Sequence, residues 1–451
     1  MRLVIGALTA LLLVPLLGGA PAAAHNANQS YVYLEIFDDA IAGRVEMPIR
    51  DINEVVGLDI PTDEDTALPA IEQSASSVQA YIRDHLAFGS ADGTETWSYG
   101  FEGVDFLDEG GNSYAIYEFE LDQAFDPPPR QFTVTYDGIV HAKSERDALL
   151  LIATDFGSGT FNNEADDFLV FDSDEPTALV DLDDSSFWKG FTGTIGLGAE
   201  HIRIGTDHIL FVFALVLPSV LAFARRDGDL AHRWYPSASF LSTFWRVLKI
   251  VTMFTVAHSI TLALGGFGVI ELPARLVESI IAISIAVAAL HNIRPVFVNK
   301  EWMLAFAFGL FHGFGFAGLL ADLGLDRSNR FVSLLGFNLG VELGQAAIIV
   351  MVFPLLFIVR RTRYYVPLMY AGSIVLAIVA LAWATERIFD YDLDVNALVD
   401  PVLRWPRSLI LVIIGYAIAT GLWWTERQAG RLLPTVDDVG EPQTDRELVD
   451  A

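Results

Sequence analysis

Residues 195–222 read IGLGAEHIRIGTDHILFVFALVLPSVLA, and this stretch decides the fold of the C-terminal half of the chain. A helix of about 20 mainly apolar residues is long enough to cross a bilayer, and this stretch exceeds that length. It also contains Glu200, His201, Asp207 and His208. Ionisable side chains within a membrane span are costly and mark functional sites. The stretch therefore predicts a transmembrane helix that carries part of a site.

Further apolar segments follow, and together they predict an all-α membrane bundle of about seven transmembrane helices. The predicted spans are residues 195–222, 242–265, 274–293, 302–321, 331–359, 365–386 and 407–424. Basic residues flank alternate connections, which places those connections in the cytoplasm by the positive-inside rule. They are Arg225, Arg226, Arg233, Arg246, Lys249, Arg294, Lys300, Arg360, Arg361, Arg363, Arg427 and Arg431.

The N-terminal part has a different character. Residues 1–24 resemble a secretory signal, with Arg2, an apolar stretch and the small residues 22–24. Residues 25–185 predict a mainly β, sandwich-like extracytoplasmic domain, because short β-branched and aromatic runs alternate with Gly, Asp and Pro. Residues 186–194 form a predicted interfacial linker, residues 195–426 the seven-helix domain and residues 427–451 an acidic cytoplasmic tail.

Strands are predicted at residues 31–36, 42–47, 97–107, 113–121, 131–140 and 168–171, with one helix at residues 67–85. His85 and His141 appear isolated in the sequence, and we interpret them as structural or surface residues. The predicted location of the whole chain is a bacterial inner (cytoplasmic) membrane, with the N-terminal domain outside.

Composition excludes some classes of function. The 451 residues carry a net charge of −29, whereas a general nucleic-acid binder needs a basic face. The chain has no cysteine, so thiolate zinc and iron–sulfur sites are excluded. The predicted partners are the lipid bilayer and a metal ion; the sequence does not identify protein partners.

Polar side chains from four predicted spans fall in one layer of the membrane. Counting inward at about 1.5 Å per residue places them roughly 9–20 Å below the outer surface. Imidazole suits nickel, cobalt, zinc and copper, and oxygen ligands complete such sites. The candidate metal residues are His201, Asp207, His208, His258, His312 and Glu342. The supporting polar residues are Ser259, Glu278, His291, Asn292, Asn338 and Gln345.

Helical spacing limits which of these residues can cooperate. Asn338 and Glu342 share a helix face because they stand four residues apart. His201 and His208 also share a face, but an unbroken helix would separate them by roughly 10 Å. They can bind one ion only if the helix opens near Gly205. Asp207 points elsewhere and is expected to orient a histidine of another span from outside the metal's ligand shell.

Four motifs resemble one known family. They are HIRIGTDH at residues 201–208, AHSITL at 257–262, FHGFGFA at 311–317 and FNLGVELGQ at 337–345. Residues 190–425 are similar to the HupE/UreJ family, in its longer branch with an extracytoplasmic N-terminal domain. The family comprises nickel, sometimes cobalt, permeases, and the resemblance implies a metal role for His201, Asp207, His208 and His312. The short permeases have a further Gly and Glu after the second histidine motif, where this chain has FAGL at residues 316–319.

The resulting hypothesis is a secondary permease for a divalent transition metal, with nickel implied by the resemblance and cobalt, zinc or copper as alternatives. An intramembrane metal-dependent hydrolase is the second hypothesis, because three histidines and a carboxylate can hold zinc and activate water. A third is an envelope sensor or assembly protein whose outer domain binds a ligand.

Overall fold

A computed structural model describes residues 29–439, apart from residues 110–111, 144–145, 162–167, 183, 225–232, 271, 299, 316–326, 390, 392 and 405. The predicted signal at residues 1–24 lies outside the described residues. The chain forms two compact units. The N-terminal unit runs as far as Leu197 and also includes the segment Leu323–Gly336, and the second unit comprises Gly198–Asp322 and the residues from Phe337 onward.

The N-terminal unit is mainly β, as predicted. Its strands are β1 Gln29–Ile36, β2 Ile41–Pro48, β3 Leu86–Ser90, β4 Thr96–Trp97, β5 Tyr99–Glu109, β6 Asn112–Leu121, β7 Gln131–Tyr136, β8 Asp147–Asp155, β9 Thr160–Phe161, β10 Phe168–Phe171 and β11 Thr177–Asp181. One sheet has the order β10-β8-β1-β2-β6-β5, with β9 beside β8, and the other has the order β11-β7-β3-β4. A helical turn, Ile49–Ile52, and a π-helical turn, Asn53–Gly57, follow β2.

The long helix of this unit, α1 (Glu64–His85), packs on the strands through one apolar face. Ala67, Ile71, Val78 and Ile82 are fully buried, and their spacing of four, seven and four residues places them on one side of a helix. They join side chains of both sheets in a single core. The unit is therefore a two-sheet structure with one helix closing its core.

The sequence predicted β1, β2, β5, β6, β7, β10 and α1, but it missed β3, β8, β9 and β11 and did not predict the strand pairing. β1 and β8 are parallel, with Tyr31 opposite Leu149, so the larger sheet is mixed and differs from a purely antiparallel sandwich. The strand predicted at residues 131–140 ends at Tyr136, and the chain then turns through Ile139, whose φ is 66°.

The interpretation of His85 and His141 as isolated residues is wrong. Their rings stack with centroids 4.2 Å apart, and Nδ1 of His85 lies 2.7 Å from Oδ1 of Asp137. Tyr81 lies against the same pair, with its ring centroid 4.4 Å from that of His85. The two histidines thus belong to one aromatic cluster at the end of α1.

The C-terminal part is helical. Its helices are α2 Phe187–Ile204, α3 Thr206–Ser219, α4 Phe240–Gly266, α5 Ala274–Ile293, α6 Glu301–Gly315, α7 Arg327–Val359, α8 Tyr365–Phe389, α9 Val395–Leu403 and α10 Arg407–Gln428. A hairpin of β12 (Leu221–Ala224) and β13 (Arg233–Pro236) connects α3 to α4, and a 3-10 turn, Val436–Val439, follows α10.

The described part of the chain has five helices long and apolar enough to cross a membrane, or six if the bent pair α2 and α3 is one span. The predicted number of seven is therefore approximate. The predicted fourth span, residues 302–321, coincides with α6 up to Gly315, and residues 316–321 lie outside the described residues. Helix α2 begins at Phe187, within the predicted interfacial linker at residues 186–194.

Small residues bring the helices close together. Ala282, Ala286 and Ala289 of α5 are buried in one cluster with Ala380 and Ala384 of α8. Such contacts favour association in a membrane, where packing replaces the hydrophobic effect between helices. On α6, Gly309 and Gly313 leave no room for a side chain against the backbone of α4. The α4–α6 contact fixes the two helices that carry His258 and His312.

Candidate metal site in the membrane helices

The first apolar stretch is broken at Gly205, where α2 and α3 meet at an angle of 74°. The Gly205 amide donates to the carbonyl of His201 at 2.8 Å, and its own carbonyl accepts from Ile209 N at 3.1 Å. Across this break the ring centroids of His201 and His208 are 4.7 Å apart. In an unbroken helix, seven residues would span about 10.5 Å. The opening that the sequence required for a shared site is therefore present.

Histidines of two further helices complete the group. The ring centroid of His208 lies 5.4 Å from that of His312 and 6.1 Å from that of His258. One ring nitrogen from each of His201, His208 and His258 lies within 4.8 Å of the others. Zinc and similar ions bind imidazole nitrogen at about 2.0–2.1 Å. The three nitrogens are close enough together to be candidate ligands of one ion.

Hydrogen bonds fix the protonation pattern of three rings. In each of them Nδ1 faces an oxygen acceptor, so Nδ1 carries the proton and Nε2 carries the lone pair. The acceptors are Oδ1 of Asp207 for His208 at 3.0 Å, Oδ1 of Asn338 for His258 at 3.1 Å, and the carbonyl of Phe308 for His312 at 3.1 Å.

The Nε2 atoms of His208, His258 and His312 are buried and have no hydrogen-bond partner within the described chain. An unsatisfied buried acceptor is costly, and a basic imidazole nitrogen is a good ligand for a transition metal. A metal-binding histidine also usually donates its other ring N–H to an oxygen acceptor, as these three rings do through Nδ1. The donor set therefore fits a divalent transition metal.

A cavity of about 340 Å³ leads to this group. It lies between the beginning of α5, the end of α8 and the helix α9. Its lining residues are His201, Ile204, Thr206, Asp207, His208, Glu278, Ile281, Ala282, His312, Gly315, Trp383, Arg387, Asn396 and Asp400. Three of these are carboxylates and one is a guanidinium, so negative charge predominates on the wall.

The six predicted metal residues do not all lie together in the structure. His201, His208, His258 and His312 lie together. Asp207 lies behind His208 of its own helix, whereas the sequence led us to expect it beside a histidine of another span. Glu342 is not part of the group: its Oε1 accepts from Thr252 Oγ1 at 2.7 Å. Thr252 stands six residues before His258 on α4, about 9 Å away along the helix axis.

Several supporting residues have local structural contacts. The Ser259 hydroxyl donates to the carbonyl of Thr255 at 2.7 Å, within its own helix. Asn292 donates to the carbonyl of Ala214 at 2.8 Å. His291 accepts from Val296 N at 3.2 Å. These contacts stabilise helix ends and helix pairs, and Ser259 is not aligned as a nucleophile by them.

The remaining supporting residues extend the polar interior. Asn338 orients His258, as described above. Gln345 accepts from Thr255 Oγ1 at 3.1 Å, which adds a second polar contact between α4 and α7. Glu278 lies in the wall of the cavity and pairs with Arg387 at 2.6 Å.

Sequence reasoning missed the residues that α8 and α9 add to the cavity. Thr206 Oγ1 donates to Oδ1 of Asp400 at 2.7 Å, and Trp383 Nε1 donates to Oδ1 of Asn396 at 2.9 Å. In the sequence, residues 388–400 lie between the predicted spans 365–386 and 407–424, and they are rich in Asp. The apolar residues between the acids, as in Val395–Leu403, were the available signal for a short amphipathic helix.

Comparison with known proteins gives one family. A family model described as HupE / UreJ protein matches residues 178–387, a range that includes α2 to α7 and nearly all of α8. A search of curated proteins gives no match.

Proposed function

Residues 178–387 are a HupE/UreJ family domain, and on that premise we propose that the protein is a membrane permease for a divalent transition metal, with nickel as the first candidate. The family is associated with nickel and cobalt transport. The apolar helices of the described chain suit a membrane protein. Among the possible ions, we propose nickel ahead of cobalt, zinc and copper.

The observation that carries the proposal is the convergence of buried imidazoles. Nε2 of His208, His258 and His312 lies buried without a hydrogen-bond partner in the described residues, and each ring is oriented from behind through Nδ1. A bundle that used these histidines only for interhelical hydrogen bonds would satisfy both nitrogens. Cation binding gives the three lone pairs a partner.

The cavity supplies a path from one membrane face. With the predicted orientation, in which the basic connections are cytoplasmic, the end formed by α5, α8 and α9 faces outside the cytoplasm. A divalent ion would enter there, bind among the histidines and leave inward. A membrane potential of 100 mV favours inward movement of two charges by about 4.6 kcal/mol, at about 2.3 kcal/mol per charge. Protons are the other candidate driving force.

Polar contacts between α4 and α7 continue inward from the histidines. The Thr255–Gln345 and Thr252–Glu342 hydrogen bonds lie on the cytoplasmic side of the His258–Asn338 pair in this orientation. Polar side chains inside a bundle mark ion pathways. We assign Glu342 to this inner part of the path rather than to the histidine group.

The test is metal uptake by cells that express His208→Ala or His312→Ala. Each change removes one imidazole ligand, so uptake should fall to the level of cells without the protein. A purely structural hydrogen bond would cost only about 0.6 kcal/mol on average in a membrane, and most activity would remain. Nickel, cobalt, zinc and copper are compared at matched amounts of protein in the membrane.

His291→Ala is the control, because His291 is also a histidine of a membrane helix but contacts the backbone at Val296 rather than the group. Metal uptake by cells that express His291→Ala should equal that of the wild type. Normal accumulation of all four metals in both the His208→Ala and His312→Ala variants would overturn the proposed function.

A further inference from the structure

An ion pair stands in the wall of the cavity. Oε2 of Glu278, on the first turns of α5, lies 2.6 Å from Nε of Arg387, near the end of α8. Their side chains are 47% and 42% exposed, so the described chain encloses neither group. The pair thus occupies a position that an ion arriving from solution would meet before the buried histidines.

The same cavity contains two buried imidazole rings that are suited to bind a cation. His208 and His312 both line it and are 4% and 1% exposed. The Nε2 atoms of these two rings have no hydrogen-bond partner in the described part of the chain. The cavity therefore joins a half-exposed carboxylate to buried nitrogen ligands.

Arg387 is held in place from behind. Nε of Arg275 donates to the carbonyl of Arg387 at 2.7 Å, and its Nη2 donates to the carbonyl of Ile388 at 2.9 Å. These bonds attach the end of α8 to α5, the helix that carries Glu278. The backbone from which the Arg387 side chain extends is consequently held beside the helix that carries Glu278.

We propose that Glu278 is the first docking site for a hydrated divalent cation and that Arg387 occupies this site at rest as a tethered cation, which the ion must displace. The inference rests on the proposed function and adds a selection step to it. The guanidinium carries one positive charge. A divalent ion gains twice the Coulomb attraction of a monovalent ion at the same distance. The exchange therefore favours divalent cations over sodium and potassium.

The two partners should have opposite effects on metal capture. Charges at the rim of a binding site mainly change the association rate and its salt dependence. Arg387→Gln leaves the Glu278 carboxylate free, so nickel should associate about 3- to 10-fold faster at low ionic strength. Glu278→Gln leaves only the guanidinium, so association should slow by a similar factor of about 3 to 10. Both effects should shrink at 1 M salt, where the Debye length is about 3 Å.

The experiment measures the association of Ni²⁺ with the purified full chain in lipid nanodiscs by stopped flow. Arg387→Lys retains the positive charge and should remain within about twofold of the wild type, which separates charge from loss of fold. Arg83→Gln makes the same charge change at an exposed residue of α1 in the N-terminal unit. It should leave the rate unchanged and excludes an effect of net charge alone.

The outcomes separate the two proposals. Wild-type protein that binds no nickel, or His208→Ala protein that binds it normally, would overturn the proposed function. Nickel binding that depends on His208, with association rates of Arg387→Gln and Glu278→Gln both within twofold of the wild type, would overturn the docking role of Glu278 and leave the permease proposal intact. Equal acceleration by Arg387→Gln and Arg83→Gln would also overturn it.

Discussion

A single methyl group at Gly205 tests whether the break between α2 and α3 builds the histidine group. Gly205 has φ −69° and ψ 93°, an extended conformation that alanine also adopts. Any effect of Gly205→Ala must therefore come from the added Cβ. That atom would lie 2.6 Å from the carbonyl oxygen of His201 and 3.0 Å from Nδ1 of His208. The first contact must lengthen by at least 0.4 Å to reach the 3.0 Å limit of real Cβ contacts.

The expected size of the effect follows from this crowding. The methyl group would lie against the hydrogen bond between Asp207 and His208. It would also lie against the backbone of His201, whose ring is next to that of His208. Overpacking of this kind costs about 1–3 kcal/mol. If the strain is relieved by moving the rings apart, metal affinity falls by the same free energy, which corresponds to a Kd about 5- to 150-fold higher.

The assay is the nickel Kd of the full-length protein in nanodiscs, measured by competition with a chelating dye. Gly196→Ala is the matched control on α2, because a Cβ at Gly196 has no atom of the described chain within 4 Å. That variant should bind nickel as the wild type does. A Gly205→Ala protein with wild-type Kd, or equal losses in both variants, would refute the role given to the break.

Three further results are expected. Asp207→Asn should weaken nickel binding about 10- to 100-fold, because the carboxylate orients His208 from behind; an unchanged Kd would contradict this role. Nickel at 100 times its Kd should raise the unfolding free energy by about 2.7 kcal/mol in thermal unfolding of the wild type, and the gain should vanish in His208→Ala. A reporter active only outside the cytoplasm should be active when fused after residue 185 and silent after residue 431, and equal activity at both positions would exclude the predicted topology.

Local sequence patterns located β1, β2, β5, β6, β7, β10 and the long helix of the N-terminal unit, but not β3, β8, β9 or β11. The observed strand Gln29–Ile36 and helix Glu64–His85 each differ from the prediction by only a few residues at one end. The parallel pairing of β1 with β8 was not predicted. It joins residues more than 100 positions apart, such as Tyr31 and Leu149, and alternation along one strand carries no information about a distant partner.

The sequence indicated at what level along the helices the candidate site residues lie, but not which neighbour each side chain faces. Counting along each helix placed the histidines in one layer, because the rise per residue is nearly constant. Glu342 has a suitable depth and shares a helix face with Asn338, yet it bonds to Thr252. Which neighbour a side chain faces depends on how the helices are rotated against each other. That rotation comes from packing contacts such as Gly313 against α4, which spacing within one helix does not reveal.

The distribution of the histidines along the chain has a consequence for biosynthesis. His312 follows His201 by 111 residues, and at about 5–20 residues per second the ribosome needs roughly 6–22 s to make that interval. During this time the nascent protein has its first histidines without the last. The complete nitrogen set exists only after α6 has been synthesised and has packed on α4. For the proposed metal site, binding by all four imidazoles is consequently a property of the bundle that contains α6, whereas the nascent chain holds at most His201, His208 and His258.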